Sequence, residues 1–293
     1  NKVPSCIAQL LIACYSKLIR KSRRFVMATE HQQKRWIKEG RGQGNLKDYK
    51  PWITIRDVSS KGRSHRVFGH TTKRTHHLLS DLELAIFLLL DWNPLITDIR
   101  EQFPLPLNAT LEISEQAKIS HPKVRDTLQT ISSSFYVNSQ TADQPNFAIR
   151  TKYTNDLQNE RIIEKLELER RYWKSTKTPW YILTEKEIPL VILNNIKWLY
   201  PAMRESSTTI YDQLNSYIHI FTQYPELNLI DLSKKIDQSY NLPIGASLAE
   251  LRELLAQRYF IFDITKDYKK IKASEIKLGN FEIWEEIRHV SNQ

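Results

Sequence analysis

The chain has 293 residues, enough for two domains and a sizeable core. Hydrophobic residues make up 41% and charged residues 26%, a globular composition with no apolar run long enough to span a membrane. The net charge of +10 and pI near 9.4 invite a nucleic-acid partner, but removing six basic residues within 1–26 (Lys2, Lys17, Arg20, Lys21, Arg23, Arg24) leaves +4, so charge alone is weak support.

Residues 1–26 also hold both cysteines, Cys6 and Cys14, and a short apolar run, Ile7 to Tyr15. The basic cluster follows that run and no small-residue cleavage site comes after it, unlike a signal peptide. Met27-Ala28-Thr29-Glu30 is the expected native start, which makes 1–26 a non-native or disordered extension. A chain without cysteine past that point fits a reducing cytoplasm.

Arg41-Gly42-Gln43-Gly44 is expected to be a flexible basic loop; no Lys-Ser or Lys-Thr follows, so it is not a P-loop. Trp52–Val58 and His65–Gly69 have strand character, with Ser59-Ser60-Lys61-Gly62 between them as a turn. The basic residues Arg41, Arg63, Arg66 and Arg74 are candidates for DNA phosphates, against the plainer reading of a solvated surface. Leu78 to Trp92 predicts a helix apolar almost all round, and therefore buried. Asn93-Pro94 ends it, and Leu95 to Phe103 is extended. Ile131–Asn138 and Phe147–Tyr153 predict a β-hairpin, Asn155–Lys174 a charged amphipathic helix, and Trp180–Leu183 a short strand. Helix, hairpin, helix, strand describe a mixed α/β core. After a boundary near 186, four helices are predicted (188–200, 208–222, 230–240, 247–258). Two strand-like runs follow, Tyr259–Ile264 and Ser274–Leu278, an order that suggests a winged helix.

Metal-dependent nucleases hold divalent cations with carboxylates and place a cation near the scissile phosphate. One arrangement takes a Glu from a helix, an Asp from one hairpin strand, and an acid or amide two residues before a Lys on the next, because alternate strand residues share a face. Glu83 fits the first role. It fits equally a capping box, Ser80-Asp81-Leu82-Glu83, in which the carboxylate bonds back to the cap. Lys152 fits the last role, or is a solvated strand end.

Long stretches of the chain resemble the TnsA family, the endonuclease subunits of a class of heteromeric transposases. They are Ile37-Lys38-Glu39-Gly40-Arg41-Gly42-Gln43-Gly44, Gly62-Arg63-Ser64-His65-Arg66, His76-His77-Leu78-Leu79-Ser80-Asp81-Leu82-Glu83-Leu84-Ala85, Asp98-Ile99-Arg100-Glu101-Gln102-Phe103-Pro104-Leu105 and Glu164-Lys165-Leu166-Glu167-Leu168-Glu169-Arg170-Arg171-Tyr172-Trp173. The resemblance covers about Trp36 to Glu185 and continues more weakly to Gln293.

It implies a restriction-endonuclease-like α/β domain over 27–185 and a mainly α, winged-helix-like domain over 186–293. The activity implied is a DNA endonuclease using two Mg²⁺ (or Mn²⁺) ions, cutting the 5′ strands at transposon ends during cut-and-paste transposition. Implied partners are transposon-end DNA, the transposase TnsB, and the ATPase TnsC through the C-terminal domain, acting in the bacterial cytoplasm at the nucleoid.

Carried over by position, Glu83 and Lys152 match the family's catalytic Glu and Lys, and Thr151 the residue whose backbone carbonyl serves a metal. Ser134 and Asn138 stand where the family has Asp, and Arg150 where it has Gln. A hydroxyl is a poor ligand for a hard cation, and Arg150 brings a permanent positive charge. Asp143 and Asp156 are the acids from which a rescue could come. The alternative implied is a cleavage-impaired subunit kept for binding TnsB, TnsC and DNA; a third reading is a winged-helix regulator.

Overall fold

A computed structural model of the protein describes residues 28–58, 63–203 and 210–279. The extension expected at 1–26 and the turn at 59–62 lie outside them. The chain divides into two compact units between Pro189 and Leu190, against a boundary expected near 186.

The first unit opens with helix α1 (Glu30–Lys38), started by a capping box between Thr29 and Gln32. The following Arg41-Gly42-Gln43-Gly44 is not the flexible loop its composition suggests. The Gly42 N–H donates to Lys50 O at 2.6 Å. Gly42 has φ +80°, and a Cβ there would lie 2.3 Å from Pro104 Cγ. The glycines permit close packing against the sheet rather than freedom. Trp52–Val58 is likewise no strand. Asp57 accepts hydrogen bonds from the backbone and hydroxyl of Thr54 and from Arg41, folding the segment into a turn.

Strands β1 (His65–Gly69) and β2 (Arg74–Leu78) form an antiparallel pair, the second absent from the sequence reading. Helix α2 (Asp81–Trp92) begins three residues later than expected, because Leu78 still belongs to β2. It buries Leu82, Ala85, Ile86, Phe87, Leu88 and Leu90, and with them the charged Glu83 and Asp91. The Asp91 carboxylate accepts the N–H groups of His70 and Thr71, tying the β1–β2 turn to the helix.

A four-stranded sheet follows in the order β3-β6-β7-β8, made of Ile96–Pro104, Ser132–Ser139, Asn146–Thr151 and Trp180–Leu183. The first three are antiparallel, while β8 runs parallel to β7. A parallel neighbour requires a crossover, supplied by helix α4 (Glu160–Ser175), which Asn159 caps. Helix α3 (Leu107–Ala117) and a pair of two-residue strands, β4 (Lys123–Val124) and β5 (Thr127–Leu128), fill a span where the sequence suggested no element. Leu105, Ile131, Ala148, Leu168 and Trp173 form a core between sheet and helices, with Tyr136 stacked on Trp173 at 5.3 Å.

The second unit holds α5 (Leu190–Leu199), α6 (Ile210–Gln223), α7 (Leu229–Ser239) and α8 (Ala246–Ala256). Its strands β9 (Phe260–Ile261) and β10 (Lys277–Leu278) pair antiparallel but are only two residues each, much shorter than expected. Asn195, 1% exposed, organises the connection between them. Its amide donates to Ile264 O and Lys266 O at 2.8 and 2.7 Å, and its carbonyl accepts from Tyr268 N. Asn195→Leu fills the same space but leaves three backbone groups unpaired, so it is expected to cost about 3 kcal/mol. Urea unfolding, with faster amide exchange at Tyr268, checks this.

Candidate functional site

The candidate site lies where α2, the β6–β7 hairpin and α4 converge. Ser80 caps α2 by accepting the Glu83 N–H at 3.0 Å. The Glu83 carboxylate does not complete the box at Ser80. Its Oε2 accepts the Leu79 N–H at 2.6 Å, and its Oε1 accepts from the Gln102 amide at 3.1 Å. Gln102 is brought there by a positive φ of 49° within β3. The cap and the carboxylate's fixed orientation therefore coexist.

Ladder pairing between β6 and β7 ends at Phe135–Ile149. Just beyond it, the Ser134 hydroxyl accepts the Thr151 N–H at 3.0 Å and shares a second hydrogen bond with Thr151 Oγ1 at 3.0 Å. Ser134 thus substitutes for a missing backbone partner. Lys152 follows, its N–H donating to Leu183 O of β8. Burial lowers the Lys152 ammonium below the usual lysine range, and the neighbouring Arg150 lowers it further; Asp156, Glu169 and Glu83 pull the other way. The fold thus brings Glu83 into the electrostatic neighbourhood of Lys152, 69 residues on.

Arg150 shares a strand face with Lys152, but its guanidinium is already committed. Nε donates to Glu169 Oε2 at 2.7 Å, Nη2 pairs with the same oxygen at 2.6 Å, and Nη2 also donates to the Ser132 carbonyl. Glu169 is 1% exposed and further accepts from Ser133 Oγ at 2.7 Å and Trp180 Nε1 at 3.0 Å. The sequence reading missed Glu169. The signal was present: Leu166, Glu169 and Trp173 recur at helical spacing on the face of α4 that is buried.

Asn138 does not join this group. It pairs with Asp98 and Asn146 at the far end of the hairpin, about 13 Å along β6 from Ser134, and accepts from Arg100 Nη2 at 2.5 Å. Asp143 is exposed in the loop at that same end. Asp156, in the turn before α4, acts on Lys152 electrostatically.

Of the four arginines proposed for DNA, Arg74 is misplaced by the surface reading. It is 8% exposed, gripping Glu101 through Nη1 at 2.8 Å and Nη2 at 2.5 Å while donating to Ile99 O and Leu46 O. Its donors are spent holding β2 to β3. Arg63 is exposed and lies 3.7 Å from Asp81. Arg41 and Arg66 border one open cavity.

Two family models match the chain: "TnsA-like endonuclease N terminal" over residues 93–185 and "TnsA endonuclease C terminal" over 187–264. The Transposon Tn7 transposition protein TnsA of Escherichia coli is 44% identical over 265 residues, covering 90% of this chain and 97% of that protein. The chain belongs to the TnsA endonuclease family. It is an endonuclease subunit of a Tn7-type transposase.

Membership of the TnsA family implies a divalent cation, so the donors at the site bear on how one is held. The Glu83 carboxylate already accepts from two donors, Leu79 N–H and the Gln102 amide. Ser134 is a neutral hydroxyl engaged with Thr151, and Arg150 adds charge of the wrong sign. Among the described residues, no group of three or more His, Cys, Asp or Glu side chains is arranged to hold a metal. The TnsA-family hairpin of this chain therefore does not fit a two-ion centre. Among the described residues, no helix is long and apolar enough to cross a membrane.

Proposed function

We propose that this chain engages transposon-end DNA and cuts the 5′-ending strand, with Glu83 as its acid and Lys152 as the cation facing the scissile phosphate. The observation that carries this reading is that Glu83 of α2 lies within electrostatic reach of Lys152 at the end of β7, within a framework matching the family over both domains. Lys152 loses hydration by burial, and a phosphate oxygen restores a partner to its ammonium. Leu79 and Gln102 fix the Glu83 carboxylate in one orientation, as a preorganised site requires. The partners proposed are a TnsB-type transposase that processes the other strand, and a TnsC-type ATPase met by the C-terminal unit. That unit's helices and short antiparallel strands suit a winged-helix-like module. The cytoplasm is where these partners would meet.

A second reading starts from the pairing of Arg150 with Glu169 beside an uncharged Ser134: a subunit kept for binding, whose own cutting is impaired. The assay is cleavage of end-labelled transposon-end duplex with purified partner transposase and Mg²⁺ or Mn²⁺. The expected result is 5′-strand cutting by the chain that Glu83→Ala reduces beyond detection, while complex formation persists. Cutting unaffected by Glu83→Ala overturns the role of Glu83. Complex formation without any cutting supports the second reading.

A further inference from the structure

An open cavity of about 560 Å³ lies in the first unit, bordered by Arg35, Arg41, Arg56, Arg66, Thr75 and His77, with Thr54 and Asp57 completing it. It lies apart from Glu83, Ser134 and Lys152, none of which lines it. From this geometry we infer a second DNA contact: the cavity binds a backbone phosphodiester of duplex DNA beside the one presented to Glu83 and Lys152. The inference rests on the proposed role in DNA cleavage.

Four arginines face one aspartate here, and they are not equivalent. Arg41 is scaffolding, held by Glu39, Asp57 and Trp52 O and stacked 4.7 Å over Trp36. It also neutralises Asp57, which removes the one acidic group that would repel an anion. Arg35 is half-exposed and only loosely paired with Glu39 at 3.4 Å. Among the described residues, neither Arg56 nor Arg66 has a hydrogen-bond or ion-pair partner, and both are exposed. Two exposed guanidiniums without a counter-charge border one cavity, and guanidinium geometry matches phosphate oxygens.

His77 supplies a third donor. Its Nδ1 is buried with no hydrogen-bond partner among the described residues, which is uncommon enough to demand a reason. Burial, together with Arg66, Arg74 and Arg56, holds the ring below the usual histidine range, opposed by Glu101. A neutral ring with its proton on Nε2 offers that N–H, not the buried Nδ1, to a phosphate oxygen in the cavity without adding charge.

The location favours DNA over a small anion. Thr75 and His77 alternate along β2, and the chain continues directly to Leu79, whose N–H holds Glu83. His77 and Leu79 are about 7 Å apart along an extended chain, a spacing suited to neighbouring phosphates of one strand. On β1, Phe68 lies two residues from Arg66 on the same outer face and is 51% exposed, offering an apolar surface to deoxyribose.

The test measures affinity of the full chain for labelled transposon-end duplex across a salt series, beside melting curves for every variant. Arg56→Gln/Arg66→Gln is expected to weaken binding at least about tenfold and to reduce the slope of log affinity against log salt by about two, one for each phosphate no longer neutralised. Arg56→Lys/Arg66→Lys should keep most of the slope, which a purely structural effect would not. His77→Ala should weaken binding several-fold with little change in slope. Lys174→Gln, exposed on α4 and outside the cavity, should change neither. An unchanged slope and affinity in the Gln double variant overturns the cavity assignment while leaving the cleavage reading intact. So does competition by inorganic phosphate at the cavity with duplex affinity unaltered. Failure of the wild-type chain to bind duplex overturns both; loss of cutting in Glu83→Ala with binding retained separates the two sites.

Discussion

Converting Ser134 to Asp and Arg150 to Gln together is expected to raise cleavage in the presence of Mg²⁺ by at least about 100-fold, the scale of repairing a cation's ligand environment. The single changes should do far less. Ser134→Asp alone adds the ligand but leaves the Arg150 guanidinium, held by Glu169, whose charge still opposes a cation. Arg150→Gln alone removes the repelling charge but leaves position 134 without a carboxylate. The gain is therefore non-additive, and a double-mutant cycle on the cleavage rate exposes it. Asn138→Asp should contribute nothing to the rate, since Asn138 sits at the opposite end of β6 and faces Arg100.

The same pair of changes should cost stability. Arg150 is the cationic partner of Glu169, a carboxylate 1% exposed. Breaking a buried pair from one side costs about 3 kcal/mol, here at the low end because Ser133 and Trp180 still donate to Glu169. A lower melting temperature with faster cutting is the expected joint outcome. An equal rate in wild type and double variant would show that the hairpin carboxylate is dispensable, and that Ser134 and Arg150 are not the weakness they are held to be.

Glu101→Gln is expected to destabilise the first unit by about 3–5 kcal/mol, lowering its melting temperature by roughly 6–20 °C. Glu101 is fully buried at the centre of a network. It accepts from both terminal nitrogens of Arg74, from His76 Nδ1 at 2.8 Å and from the His77 N–H at 3.1 Å. Neutralising it leaves the Arg74 guanidinium buried without its counter-charge. The expected cost exceeds that of any surface pair, such as Lys34–Glu30, whose side chains are about 70% exposed.

The pH dependence has a definite sign. Burial opposes ionisation of Glu101, but the charge of His76 and the hydrogen bonds from Arg74 and His76 outweigh it, holding the carboxyl well below its ordinary range. A folded-state value below the unfolded one means the stabilisation is complete above the unfolded value, about 4.3. It is lost as pH falls below that toward the folded value. Wild-type stability should thus drop on acidification below about pH 5, and Glu101→Gln should flatten that limb. Melting curves over an acid series decide it. A parallel acid limb in the variant would mean other carboxylates carry the dependence.

Much of the fold was legible in the residues themselves. The apolar run of α2, the alternation in β6 and β7, the amphipathic α4 and the stop at Asn93-Pro94 are local signals, and local periodicity determines local structure. Glu83 was legible as a candidate within the stretch 76–85 that resembles the family, and Lys152 as the lysine that ends a predicted hairpin strand. The errors share a cause: the competing partner was distant in sequence. Gly42 looked like a source of flexibility because Pro104, which packs on it, is 62 residues away. Trp52–Val58 looked like a strand until Asp57 and Arg41 folded it into a turn. Arg74 looked solvent-facing because Glu101, which buries it, belongs to another strand.

The residue types at 134, 138 and 150, Ser, Asn and Arg, were given by the sequence alone. Only the tertiary structure decided what those substitutions do. It turned Arg150 away into a buried pair with Glu169, bonded Ser134 to Thr151, and set Asn138 apart from both. It also gathered Arg56, Arg66 and His77, unremarkable singly, around one cavity. The physical reason is that charge and hydrogen-bond satisfaction depend on distance in space, and a buried polar group finds its partner wherever the chain brings one.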